Sequence, residues 1–470
     1  MRVESRGYRA MRNRKPRTAK LLIMMGIFVV LVGGVLAWYR ATNTLPLVHI
    51  PTRKMPVPNG YDYYLKAAGM MVNEKAIKAI WEGPPGPPPP GLILRGTKPP
   101  TPHPPPTEKF KVYSLAEKES IVRQNTEALR TLRRGFSFQS MCPWTLSGED
   151  CPHAYPDFRR LRQLLLLEAE VKAARGDRNG AMKSCLDAVE FGTNTPRGGT
   201  IIDLLSGKAA QSTGRRRAWA LMYGLNTSEA RKAARRMADL SARQVAFADA
   251  LRWEKWSTQV FLMKIMRRSD WRAELEYQYG YPRPWSALKG IMGDVGFPPS
   301  LKLALKSMFL GKRGIIRAYS EEMDKLITES RRPYPAGSPS EPYLDDPFLY
   351  SLTISNNSTR FGWVTNETQN NLLAVALALR AYQLERGEYP ERLDALVPKC
   401  LTTIPGDPFS THKPLRYKRT GSKYLLYSIG PDGRDNGGKV IYKPKETTRR
   451  IRYYVYPNSK GDIVAGINIY

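Results

Sequence analysis

The chain has 470 residues, about three times a usual domain, so two or three domains are expected. Lys and Arg outnumber Asp and Glu by 74 to 42, a net charge of +32, yet hydrophobic residues make up 42% and exclude wholesale disorder. Four cysteines exclude a disulfide-dense mini-scaffold, and four histidines leave little room for a multi-histidine metal centre.

Residues 1–20 carry eight basic side chains (Arg2, Arg6, Arg9, Arg12, Arg14, Lys15, Arg17 and Lys20) against Glu4 alone. From Leu21 to Tyr39 no residue is charged. As a helix this run covers about 28 Å, close to the hydrocarbon thickness of a bilayer. Trp38 and Tyr39 stand where an interfacial aromatic anchor belongs. Only Arg40, Arg53 and Lys54 are basic over 39–58, so the positive-inside rule keeps residues 1–20 in the cytoplasm and exports the remainder. The alternative is a cleaved signal peptide, with Val35-Leu36-Ala37 as a small-residue site, but the run exceeds the usual h-region. The expectation is a single-pass signal-anchor in the inner or plasma membrane.

Residues 40–106 read as a Pro-rich tether containing one short helix. Tyr64, Ala67, Ala68 and Met71 recur at helical spacing within Tyr61–Trp81. Pro84–Pro106 then holds twelve prolines in twenty-three residues, a polyproline II spacer. Residues 107–330 read as a helical domain. Tyr155–Arg175 and Arg178–Phe191, joined by Gly176-Asp177, resemble a single tetratricopeptide-type hairpin, with no second copy at a fixed period. Further helices are predicted over Gly199–Leu225, over Ser228–Met266 after a Ser cap, and over Pro299–Glu329. Trp271–Pro298 reads as a packed loop. Residues 331–365, rich in Pro, Ser and Asp, mark a linker.

The last segment, 366–470, predicts one helix and a small sheet. Leu373, Leu377, Ala381 and Leu384 line one side of a helix over Asn366–Arg386, and Gly387 stands at its left-handed cap. Strand patterns follow at Leu415–Lys418, Tyr424–Ser428, Val440–Lys443, Ile451–Tyr456 and Ile463–Tyr470. The fold class is therefore multi-part α+β: a transmembrane helix, a mainly helical middle, and a C-terminal helix with an antiparallel sheet.

Residues 372–438 carry a family resemblance. Tyr382, Gly387, Tyr389 and Pro390 form a Y-x-x-x-x-G-x-Y-P turn, followed by Leu393 and Leu396 and by Asp407-Pro408-Phe409. Tyr417 precedes Tyr424, Ser428, Gly430, Asp432 and Gly433, which form Y-x-x-x-S-x-G-x-D-G, and Gly437-Gly438 close the block. This order resembles the globular part of the major pseudopilin of type II secretion systems and covers some 14% of the chain. It implies a pseudopilin-like module and an association with secretion machinery. Two departures stand against filament formation: about 330 residues separate the apolar run from the pilin-like helix, and no acid lies between Glu4 and Asp62. The family often binds Ca²⁺ after the D-G turn, which implicates Asp432 and Asp435. An Asx-type turn stays open beside it, because a tight site wants six to eight oxygens and the following stretch is basic.

Other chemistry is sparse. Cys142 and Cys151 bracket an eight-residue loop and suit a local disulfide in an exported segment, with two free thiols as the alternative. Cys185 and Cys400 read as small buried hydrophobes. No G-x-S-x-G, H-E-x-x-H or G-x-G-x-x-G occurs, and Leu205-Ser206-Gly207-Lys208 fails as a phosphate loop because Ile202 and Ala209 stand at its required positions. No catalytic residue is assigned, and a hydrolase with paired carboxylates is a third reading only. Basic groups recur at 215–217, 235–236, 267–268, 331–332 and 449–450, with Trp219, Trp253, Trp256 and Trp271 nearby. They suggest either a solvated basic surface or capture of anionic polymers such as lipid headgroups, cell-wall polymer or DNA. The leading expectation is a membrane-anchored structural or interaction protein of the bacterial envelope, working with protein partners there.

Overall fold

The structure, a computed structural model, describes residues 15–82, 111–143, 154–279, 311–334, 356–411, 413–442 and 453–469. The Pro84–Pro106 run, Cys151, His103, His412, Arg449-Arg450 and most of the 331–365 segment lie outside the described residues. The chain forms two compact units: 1–49 with 262–322 and 346–352, and 50–261 with 323–345 and 353–470.

In the first unit α1 (Lys15–Asn43) is the long apolar helix. Its stretch Lys20–Asn43 is long and apolar enough to cross a membrane, and none of its most apolar window is buried in protein. Leu22, Phe28 and Val30 all stand more than 60% exposed. The same unit holds α11 (Trp271–Tyr279), where a packed loop was expected. Asp270 explains the helix: its carbonyl accepts the amides of Ala273 and Glu274, and its carboxylate is paired with Arg268 at 2.8 Å.

The second unit is mostly helical. Its first helices are α2 (Gly60–Gly69), α3 (Glu74–Glu82), α4 (Leu115–Gln124), α5 (Thr126–Gly135) and α6 (Ala154–Ala174). Next come α7 (Arg178–Asn194), α8 (Ile201–Leu221), α9 (Thr227–Ala242) and α10 (Phe247–Met266). The last are α12 (Lys312–Ser330) and α13 (Asn356–Arg386), and both α10 and α12 run across the unit boundaries.

The sequence placed a tether with one helix over 40–106; from Asn59 to Glu82 the chain is instead two helices of the body. Tyr61 and Tyr64 are fully buried, packed with Phe158 and Phe191 at ring distances of 5.3 Å. The break between α2 and α3 is held by Asn125, whose side chain accepts from Val72 N and donates to Val72 O. The expected hairpin over Gly176-Asp177 is present: Gly176 has φ +83°, and Asp177 caps α7 by accepting from Gly180 N at 2.7 Å. The long pattern from Ser228 to Met266 divides at 243–246, and its cap is Asn226 in a reciprocal box with Glu229 rather than Ser228.

Helix α13 starts ten residues before the expected boundary at 366 and lies along α9. One apolar core runs from Ala169 through α7, α8 and α9 into α13 and on to Ile469, so the boundary at 366 does not separate two cores. Behind α13, β1 (Arg416–Thr420) and β2 (Lys423–Ser428) form a hairpin, and β3 (Ile463–Val464) pairs antiparallel with β2 at Tyr427 and Ser428. Val440 makes a single bridge to Asp462, and 453–456 are irregular, where fuller strands were expected. The last strand is short because Gly466 turns the chain at φ +75°; Asn468 then fastens the turn, accepting from Val464 N and donating to Ile441 O and Tyr453 O.

Candidate functional site

The loop after β2 gathers the residues singled out for a cation. Gly430 and Gly433 both have positive φ, near +70°, and fold the loop back on itself. Asp432 accepts from Arg434 N at 3.0 Å and Gly461 N at 3.0 Å. Asp435 accepts from Tyr427 Oη at 2.9 Å and Gly437 N at 3.1 Å, and is ion-paired with Arg416 Nε at 2.9 Å. Burial opposes the ionised form of Asp435, but these donors hold its carboxyl below the ordinary range. A third acid, Asp462, joins them from 27 residues downstream and was not found in the sequence. Fully buried, it accepts from Asn436 N at 3.2 Å and Gly438 N at 2.7 Å. Burial raises its pKa, and the charges of Asp435 and Asp432 raise it further. The carboxylate oxygens thus face N–H and O–H donors, the geometry of a self-tied loop, and they do not fit a shell of six to eight oxygens around a hard cation. Among the described residues no group of three or more His, Cys, Asp or Glu is placed to hold a metal ion.

Asp407 does more than start a turn. It is fully buried, and accepts from Ser428 Oγ at 2.7 Å, Phe409 N at 3.0 Å and Ile429 N at 3.0 Å. Burial raises its pKa against those bonds, so one carboxyl ties the Pro408 turn to the end of β2. Cys142 is buried, with its amide donating to Arg197 O at 2.8 Å; Cys151 lies outside the described residues. Burial pushes the Cys185 thiol up to about 12, which makes it inert at neutral pH.

Acids brought together elsewhere have structural partners. At the head of α8, Asp203 accepts from Thr200 N at 2.8 Å and Tyr155 Oη at 3.0 Å, while Glu254 accepts from Ile201 N at 3.1 Å. Burial raises Glu254, and the Asp203 charge adds to the shift. The arginine groups also divide. Arg215 is fully buried and donates to Asn366 at 2.9 Å and Asn370 at 2.6 Å, and also to Gln369. Arg236 is paired with Asp187 and Glu190, Arg235 donates to Lys399 O, and Arg217 lies 4.7 Å over the Trp81 ring.

A cavity of about 300 Å³ is lined by Tyr155, Phe158, Arg159, Arg162, Phe191, Thr195, Ser206, Ala209 and Ala210. Its lining draws on α6, α7 and α8, and it was not predicted, because i,i+3 arginines on a basic helix give no signal until a hole is seen beside them. Fold and sites together define a class: a helical body with a small antiparallel sheet and an N-terminal apolar helix. No family model matches the chain, and no match was found among curated proteins or solved structures.

Proposed function

We propose that the chain is a single-pass membrane protein whose body lies outside the cytoplasm, where it serves as a structural or interaction component of a bacterial envelope. The observation that carries this reading is the apolar run Leu21–Tyr39 of α1, with none of its most apolar window buried in protein, eight basic residues in the twenty before it and three over 39–58. The pseudopilin-like reading of the C-terminal segment is supported by the order helix, Gly387 turn, Asp407-Pro408 turn, hairpin and glycine loop. That order suggests a role beside secretion-type machinery through protein partners.

Topology reporters test the proposal. Alkaline phosphatase fused after residue 60 should be active and a fluorescent protein at the same place dark; the reverse pattern would overturn the orientation. Release of the body into the soluble fraction with a shortened N-terminus would replace the anchor with a cleaved signal peptide.

A further inference from the structure

The Tyr39 end of α1 has company within its own unit. Gly311, the residue before α12, lies against it: a Cβ built on Gly311 would stand 2.4 Å from the Thr42 carbonyl oxygen. The Gly311 carbonyl accepts from Ile315 N at 3.1 Å, and Ile315 and Ile316 are buried, so α12 is regular helix from that contact onward. Trp271, the buried first residue of α11, gathers two cations there. Lys312 Nζ lies 5.6 Å from the centre of its ring and the Arg272 guanidinium 4.4 Å. Burial, and after it the Arg272 charge, lower the Lys312 ammonium from its ordinary value. Arg313, next on α12, and Arg40, in the last turn of α1, are exposed. Among the described residues neither Arg40, Lys312 nor Arg313 is ion-paired with a carboxylate, whereas Arg317, further along α12, is paired with Glu321 at 2.8 Å.

The position of these cations says what they face. Thr42 lies three residues beyond Tyr39, about 4.5 Å along the helix axis. A headgroup layer is roughly 5–8 Å deep on each side of the hydrocarbon. A chain segment touching Thr42 therefore stands at the level of lipid phosphates, and Lys and Arg stems let the charged ends reach them. The positive-inside bias is undisturbed, because it counts cations close in sequence to the span, and Arg272, Lys312 and Arg313 are far downstream. A protein or a nucleic acid would have to displace the headgroups to reach the same side chains.

We propose that Arg40, Arg272, Lys312 and Arg313 form a cationic patch at the Tyr39 end of α1 that binds the phosphates of anionic phospholipids in the adjoining leaflet. The patch rests on the reading of α1 as a membrane anchor.

The test uses the full-length chain reconstituted in phosphatidylcholine vesicles containing chain-spin-labelled phosphatidylglycerol or phosphatidylcholine, with the motionally restricted fraction read by electron spin resonance. Wild type should prefer phosphatidylglycerol by about threefold or more at low salt. R272Q/K312Q/R313Q should lose about half of that preference or more, and the charge reversal K312E/R313E at least as much. R313E alone, at an exposed position, should lose part of it with a melting temperature within a few degrees of wild type, which keeps loss of lipid apart from loss of fold. Unchanged preference in all three variants, or its disappearance only in the tail variant R12Q/R14Q/R17Q, would overturn the patch. So would displacement of the labelled phosphatidylglycerol by single-stranded DNA, which would assign the face to a polymer. Alkaline carbonate separates the two readings: wild type that stays in the membrane but shows no preference sinks the patch alone, whereas wild type that is released sinks the anchor and the patch with it.

Discussion

Glu168 shows why so many arginines serve the interior. It is buried on α6 and accepts from Arg133 and from Ser184 Oγ at 2.6 Å, with Lys172 Nζ at 3.0 Å. Arg133 continues to Asp187 at 2.7 Å, and Asp187 and Glu190 are both met by Arg236. Four helices are thereby joined by charge. Burial by itself would raise Glu168, but Arg133, Ser184 and Lys172 outweigh it and hold its carboxyl below the ordinary range. A carboxyl depressed in the folded state contributes stability that is complete above its unfolded pKa and is lost as pH falls through the folded one. Wild type should therefore lose melting temperature below pH 4.5, whereas E168Q should start about 1–3 kcal/mol less stable at pH 7 and lose less on acidification. Thermal melts from pH 7 to pH 3 would check it; parallel curves would deny Glu168 this role. The sequence displayed Arg236 only as half of a basic doublet, but its partners are non-local, so a spacing argument could not tell an interior guanidinium from a surface one.

At the scale of elements, α7 and α8 approach so closely that glycine is required. A Cβ added at Gly192 would run into Gly207 O and one at Gly207 into Gly192 O, and a Cβ on Gly214 would lie 2.6 Å from Cys185 O. In an exposed helix Gly→Ala would gain about 1 kcal/mol of propensity. Here the added methyl meets backbone, so G207A should lose roughly 1–3 kcal/mol net, read from denaturant midpoints; a gain in stability would show that the crossing yields. Helix existence was legible from period and caps: Gly176-Asp177, Gly387 and the Glu229 turn all stand at the ends of elements. What was illegible was which faces are covered. Helix α13 was expected to bury one side, yet 368–379 are buried all round, including Asn370 and Gln369. Those amides look like a solvent face until Arg215 is seen donating to them.

For the whole molecule, that helix decides whether the C-terminal segment is a domain. A module able to fold alone would present its own core and a polar face to water. Helix α13 instead puts Leu372, Leu373, Val375 and Leu379 into a core shared with Met237 and Leu240 of α9 and Met182 of α7. Removing residues before 366 would expose those side chains, at about 25 cal/mol per Å² of apolar surface, and would also take away Arg215, leaving three amide oxygens without their donor. The sheet is too small to compensate: β3 has two residues, and the hairpin is a two-stranded ribbon that needs a helix to rest on. The isolated 366–470 fragment should therefore give no cooperative thermal transition and should aggregate, while R215L in the full chain should fold with a loss of roughly 2–4 kcal/mol, since a leucine leaves the side-chain oxygens of Asn366, Gln369 and Asn370 buried without the guanidinium that donates to them. Circular dichroism melts of the two proteins make the comparison. A sharp transition from the fragment alone would restore it as an autonomous module and reduce the shared core to an interface between two domains.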